Sequence, residues 1–124
     1  MGQSFKDLLA WQKAADLTVE VYKLTAKFPD SERFGPTNQM RRAAVSVASN
    51  IAEGYGRSTK GEYYLFLGHA RGSCCELETQ VFIARELGFG TPSGHDATER
   101  LCNDVGRLLG ALMKSIQPKR PSVP

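Results

Sequence analysis

Apolar and small residues recur at helical spacing almost from the start of this chain. Ala10, Ala14, Leu17, Val21, Leu24 and Phe28 follow one another at alternating steps of four and three, which keeps one stripe of an α-helix turned toward a partner. Ser4 suits the N-cap and Asp7 the first turn, where the helix dipole favours a negative charge. Pro29-Asp30-Ser31 stops this helix, Gly35-Pro36 punctuates a short loop, and Thr37 can cap the next helix.

The second stripe, Met40, Ala43, Ala44, Val47, Ala48 and Ile51, is half alanine and predicts a helix lying close against its neighbours. Gly54 and Gly56 end it, Gly54 as the left-handed residue of its C-terminus. Thr59 followed by Glu62 reads as a capping box. It opens a third helix with the stripe Tyr63, Leu67, Ala70, Cys74, Leu77, Val81 and Ala84, which ends near Gly88 and Gly90. Thr91-Pro92-Ser93 restarts the chain; Leu101, Val105, Leu108, Leu112 and Ile116 mark a fourth helix, stopped by Pro118.

No segment alternates with the period of a half-buried strand, and short loops make successive helices antiparallel neighbours. The prediction is an all-α, antiparallel up-down-up-down four-helix bundle. One domain covers residues 1–117, followed by a mobile C-terminal tail over 118–124.

Composition narrows the setting. A chain of 124 residues, 41% hydrophobic, fits one domain with one core. No apolar run approaches the ~20 residues that span a bilayer. The N-terminus lacks a basic region followed by an apolar core, so no membrane partner and a cytoplasmic location are expected. Cys74, Cys75 and Cys102 contain no C-x-x-C and read as free, buried or half-buried thiols in a reducing compartment. The net charge of +3 is uneven: Arg33, Arg41, Arg42, Arg57 and Lys60 face only Glu53 within residues 33–60, and the tail adds Lys119 and Arg120.

Candidate chemistry is sparse. Gly54-Tyr55-Gly56 closes a helix and lacks the Lys-Ser/Thr ending of a phosphate loop. Three residues before His69 and His95 stand Phe66 and Pro92, not the glutamates of a di-iron bundle; each histidine reads as solvated or hydrogen-bonded. His69, Ser73 and Glu76 share a helical face, but a mid-helix backbone has no spare N–H for an oxyanion. The expectation is a non-enzymatic protein with no catalytic residue, no metal ligand and no cofactor.

The second helix carries a polar stripe of its own: Arg42, Ser46, Ser49, Asn50 and Glu53, with Arg57 just beyond. On spacing alone such a stripe is a solvated face. Its short Ser and Asn side chains instead suit a surface that another protein surface covers. Arg41 and Arg42 near a helix N-terminus oppose its dipole by a few tenths to ~1 kcal/mol, so an offset is expected from Glu76, Glu78 or an anionic partner. Glu53 is expected to pair with an arginine.

Phe5-Lys6-Asp7-Leu8 with Trp11-Gln12-Lys13-Ala14, Phe28-Pro29, and Gln39-Met40-Arg41-Arg42-Ala43-Ala44-Val45-Ser46 running into Ser49-Asn50-Ile51-Ala52-Glu53-Gly54 and Arg57 form a specific signature. Phe66-Leu67, Ala70, Gly72-Ser73, Glu76-Leu77, Ile83-Ala84 and Leu87-Gly88 extend it. Over roughly residues 5–116 the chain resembles the four-helix bundle family of 23S rRNA-intervening sequence proteins. The resemblance implies a homopentamer ringing a central axis. It also brings in a relative, the accessory protein of diversity-generating retroelements, a similar pentameric bundle that binds its reverse transcriptase and nucleic acid through a basic surface.

The expectation is therefore a homo-oligomeric scaffold or adaptor, with Arg42, Ser46, Asn50, Glu53, Arg57, Ser73 and Glu76 at helix–helix or subunit contacts. The alternative is sequence-independent RNA or DNA binding through Arg41, Arg42, Arg57, Lys60, Lys119 and Arg120. A further protein is the third class of partner. No aromatic platform is interleaved with these bases in the sequence, which argues against a single-strand reader.

Overall fold

Helices α1 (Leu9–Thr25), α2 (Asn38–Tyr55), α3 (Lys60–Glu86) and α4 (Pro92–Ile116) make up the computed structural model, which describes residues 4–117. Cross-helix pairs fix their directions. The Thr18 hydroxyl of α1 donates to the Ala44 carbonyl of α2, and Arg41, nearer the start of α2, reaches Thr25 at the end of α1. Ser46 of α2 meets Ser73 of α3, while Gly54, further along α2, backs onto Phe66, earlier in α3. Cys74 approaches Cys102, and Arg85 reaches back to Glu99. Each helix therefore runs opposite to the one before it. α1 packs on α2 and α4, and α3 packs on the same two, so the four form a square with α1 and α3 at opposite corners. The tail expected over 118–124, with Lys119 and Arg120, lies outside the described residues.

The core is the predicted stripe on three helices. Ala10, Ala14, Leu17, Val21, Leu24 and Phe28 are all buried, as are Met40, Ala43, Ala44, Val47 and Ile51, and Leu67 through Ala84 at the expected steps. Ala48 and Tyr63 are half-buried at its edge.

α4 differs by one position of rotation. Its core face is His95, Thr98, Cys102, Val105, Leu109 and Met113, whereas the expected Leu101, Leu108, Leu112 and Ile116 are half-buried. Two polar side chains can enter the core because each bonds locally through one of its polar atoms. The Thr98 hydroxyl donates to the Gly94 carbonyl at 2.8 Å, and His95 Nε2 lies 2.6 Å from the Phe89 carbonyl.

Three of the expected helix ends change role. Ser4 caps a separate turn, Phe5–Asp7, through a reciprocal box with Asp7; extended Leu8 then separates that turn from α1. Phe5 packs edge-to-face on Trp11 at 5.1 Å and holds the turn against α1. Thr37 does not cap α2: it is buried, already helical, and makes no cap hydrogen bond, because the chain winds into α2 directly from Arg33–Thr37 with its break at Gly35. Gly54 lies inside α2 rather than in a left-handed end; positive φ occurs at Gly88 (77°) and Gly90 (82°). Of the capping box at α3, the half seen is the Thr59 hydroxyl accepting from the Glu62 N–H at 3.1 Å.

Candidate functional site

The polar seam expected on α2 and α3 divides into a bonded centre and a charged rim. At the centre the Ser46 and Ser73 hydroxyls lie 2.9 Å apart. Asn50 Nδ2 donates to the Ser46 carbonyl at 2.8 Å and to its hydroxyl at 3.0 Å. Asn50 is one turn below Ser46, so the helix period itself places the amide under the hydroxyl. All three are half-buried, and their groups bond within the chain across the α2–α3 contact. Arg42, Glu53, Arg57 and Glu76 stay exposed around them. Arg42 and Glu76 flank a shallow recess of about 500 Å³ with Gln39, Ala43, Ser46, Ser73 and Gln80. The Gln80 side-chain oxygen, Oε1, is covered and has no hydrogen-bond partner within the chain.

Glu53 makes no ion pair among the described residues. The ion pairs there join Arg85 to Asp96 and Glu99, and Arg107 to Asp104. Arg85 binds both carboxylates at 2.9 Å, and these contacts raise its already high pKa further.

The basic residues fall into two groups. Arg41 Nε donates to the Thr25 hydroxyl at 2.8 Å and its Nη2 to the Tyr22 carbonyl at 3.4 Å; its guanidinium lies 4.4 Å from the Tyr22 ring centre. The cation at the start of α2 is thus offset by the carbonyl end of α1, where the helix dipole is negative, and not by Glu76 or Glu78. Arg57 and Lys60 lie at the other end of α2, an 18-residue helix and therefore about 27 Å long. The Arg57 guanidinium covers the Phe66 ring at 4.4 Å, and Phe66 in turn meets the His69 ring edge-on at 5.8 Å. The aromatic partners of both arginines come from neighbouring helices, so spacing along the chain does not pair them.

Cys74 and Cys102 are buried; Cys75 is exposed, contrary to the buried or half-buried reading. A thiol set well round the helix from the core stripe cannot share that stripe's burial, whatever its apolar preference. Cys74 Sγ lies 3.8 Å from the Cys102 carbonyl oxygen. The two thiols interact, which lowers the Cys74 pKa; burial and Glu78 act against that shift. The same contact, reinforced by burial, pushes Cys102 far up. His95 Nδ1 is covered with no partner within the chain. Among the described residues no three His, Cys, Asp or Glu side chains gather as a metal-binding group, and no helix is long and apolar enough to cross a membrane.

One surface went unread in the sequence. Between α1 and α2 lies a mainly apolar recess of about 370 Å³ formed by Phe5, Trp11, Ala15, Val19, Val45, Ala48 and Ala52, with Thr18 and Ser49 as its polar members. Its signal was a second stripe on α1, Trp11, Ala15 and Val19, running beside the core stripe at steps of four.

The solved structure of a protein of unknown function from the S23 ribosomal protein family of Bacteroides thetaiotaomicron is similar in fold, with a TM-score of 0.79. The two share 18% identity over 88% of this chain and 98% of that one. None of the curated proteins matches this sequence. The profile described as 23S rRNA-intervening sequence protein matches residues 6–111. That match spans all of α1, α2 and α3 and most of α4, so the chain belongs to the family of 23S rRNA-intervening sequence proteins.

Proposed function

We propose that this protein is a non-enzymatic, homo-oligomeric helical scaffold or adaptor, pentameric as the family resemblance implies, working in the cytoplasm. The observation that carries the reading is the exposed apolar surface. Val19, Val45 and Tyr22 stand open to solvent around the α1–α2 recess, and Leu65, Phe82, Ile83 and Leu87 stand open along α3. Contiguous apolar surface rimmed by polar groups marks a protein-binding face. Of the side chains with nucleophile or acid–base chemistry, Ser46 and Ser73 bond to each other and His95, Cys74 and Cys102 are buried, while His69 and Cys75 are exposed. In the assembly, Ser46, Asn50 and Ser73 hold α2 against α3, while Arg42, Glu53, Arg57 and Glu76 supply the polar rim of subunit contacts.

A second reading adds sequence-independent RNA or DNA binding. The exposed, ring-stacked Arg57 beside Lys60 favours it. Repetition around a ring would multiply a small subunit charge into a usable field, and such binding would weaken steeply with salt. Arg42, Lys119 and Arg120 would add to it, and Arg41 less so, because Thr25 and Tyr22 hold it.

The test is native mass by light scattering after size exclusion, at low and moderate salt, with and without RNA. A particle of about 68 kDa, five times the 13.6 kDa chain, is the expected result; a monomer would overturn the scaffold reading. A shift with RNA that disappears at moderate salt would support the second reading, and no shift at low salt would remove it.

A further inference from the structure

Two apolar surfaces of this chain are unpartnered, and they have opposite shapes. The α1–α2 recess is concave, with Val19 55% and Val45 42% exposed above Trp11 and Ala48. Toward the C-terminal end of α3, Phe82, Ile83 and Leu87 are 65%, 51% and 60% exposed. Ile83 and Leu87 are one helical turn apart and form a convex apolar ridge; Phe82 lies round the helix toward α4, beside Glu99, Cys102 and Asn103. α1 and α3 occupy opposite corners of the square, so the ridge cannot reach the recess of its own chain.

The charges beside the two surfaces are also opposite. The recess continues along α2 past Val45 into a space of about 430 Å³ lined by Tyr22, Asn38, Arg41, Arg42, Val45 and Ser46. Arg42 there is exposed and makes no ion pair among the described residues. On α3, Glu86 stands one turn from Ile83 and next to Leu87; it too is exposed without an ion pair among the described residues. A cation near the N-terminus of α2 is disfavoured by the helix dipole until an anion faces it.

We propose that the occupant of the α1–α2 recess is a second copy of this chain, which inserts the Ile83–Leu87 ridge of its α3 and brings Glu86 toward Arg42. The inference rests on the oligomeric reading and specifies its contact. The contact is heterologous: each subunit uses a recess on one side and a ridge on another. An isologous pairing would set recess against recess and leave both unfilled. Opposite charges at the rim fix the register of docking more than its strength.

The test pairs Val19→Asp, which blocks the recess, with Ile83→Asp, which blocks the ridge. Both side chains are more than half exposed, so a charge at either is compatible with folding. Circular dichroism checks this, with Val45→Lys and Leu87→Asp as replacements if either variant unfolds. Phe34→Asp, 87% exposed and outside both surfaces, serves as a control that keeps the parent mass.

Each blocked variant alone is expected to run as a 13.6 kDa monomer. An equimolar mixture is expected to form a dimer of twice that mass, because one intact recess and one intact ridge remain between the two. If the parent is oligomeric and both variants keep its mass, this contact is wrong while the scaffold reading stands. If both are monomeric and stay so when mixed, the recess and ridge do not meet each other. A monomeric parent removes both readings together.

Discussion

Gly54 of α2 and Phe66 of α3 approach so closely that a Cβ built on the glycine would stand 2.8 Å from the Cβ of Phe66 and 3.1 Å from the Tyr63 ring. This is where α2 and α3 draw together below the Ser46–Ser73 pair. The Phe66 Cβ is fixed to the α3 backbone and cannot swing aside, so an added methyl must push the helices apart.

Gly54→Ala is therefore expected to destabilise the fold by up to roughly 2 kcal/mol, an overpacking cost of about 1–3 kcal/mol less the ~0.8–1 kcal/mol that Ala gains over Gly in a helix. Gly72→Ala, on the same α3 with nothing within 4 Å of its new Cβ, should instead stabilise by about 0.5–1 kcal/mol. Urea unfolding of the two variants reads the signs directly. Equal shifts would mean that Gly54 is not a contact point.

The Ser46–Ser73–Asn50 cluster makes a separate prediction. Either Ser46→Ala or Ser73→Ala leaves a half-buried hydroxyl or amide short of a partner and should cost about 1 kcal/mol. The double variant removes both ends of the Ser–Ser bond and should cost clearly less than the two singles together. A double-mutant cycle from urea midpoints gives the coupling; additive effects would show that the two hydroxyls do not interact in solution.

Helix number, order and three of the four core faces were legible because stripes such as Ala10-Ala14-Leu17-Val21 obey one period with no competing pattern. The face of α4 was misjudged because hydropathy ranks Leu101 and Leu108 above Thr98 and His95. It does not register that Thr98 can bond to Gly94 and His95 to Phe89, which makes their burial tolerable. Gly54 was misassigned for a related reason: a glycine needed for helix approach and one needed for a left-handed turn look identical in sequence. The polar positions Ser46, Asn50 and Ser73 share the face that their spacing gave them. The partners of the arginines were not legible, since Arg41 is met by Tyr22 and Arg57 by Phe66 from other helices, and no local spacing encodes such pairs.

Tyr63 links stability to alkaline pH. Burial raises its pKa above the ordinary value of 10.0, and nearby Tyr55 adds to the shift. With a folded pKa above the unfolded one, the contribution is fully present below pH 10.0 and is lost as pH rises through the folded pKa. Denaturant midpoints measured upward from about pH 9, below the ordinary tyrosine pKa, should fall more steeply for the parent than for Tyr63→Phe, which has no proton to lose at that site. Parallel profiles would mean that Tyr63 titrates alike in both states.

The three thiols should separate by reactivity. Cys75 is exposed, whereas Cys74 and Cys102 are each 2% exposed and face one another between α3 and α4. Thiolate chemistry needs both access and ionisation; Cys102 is denied both, its pKa pushed far up by Cys74 and by burial. The lowered pKa of Cys74 would favour its reaction, but no reagent reaches it without an opening of the α3–α4 contact. A disulfide reagent at neutral pH is thus expected to label one thiol per chain quickly, lost in Cys75→Ser, and the other two only on unfolding. Their labelling rate should then rise with urea in step with loss of helicity. Rapid labelling of two thiols in the native protein would place Cys74 at an open seam and show that the bundle separates there before it unfolds.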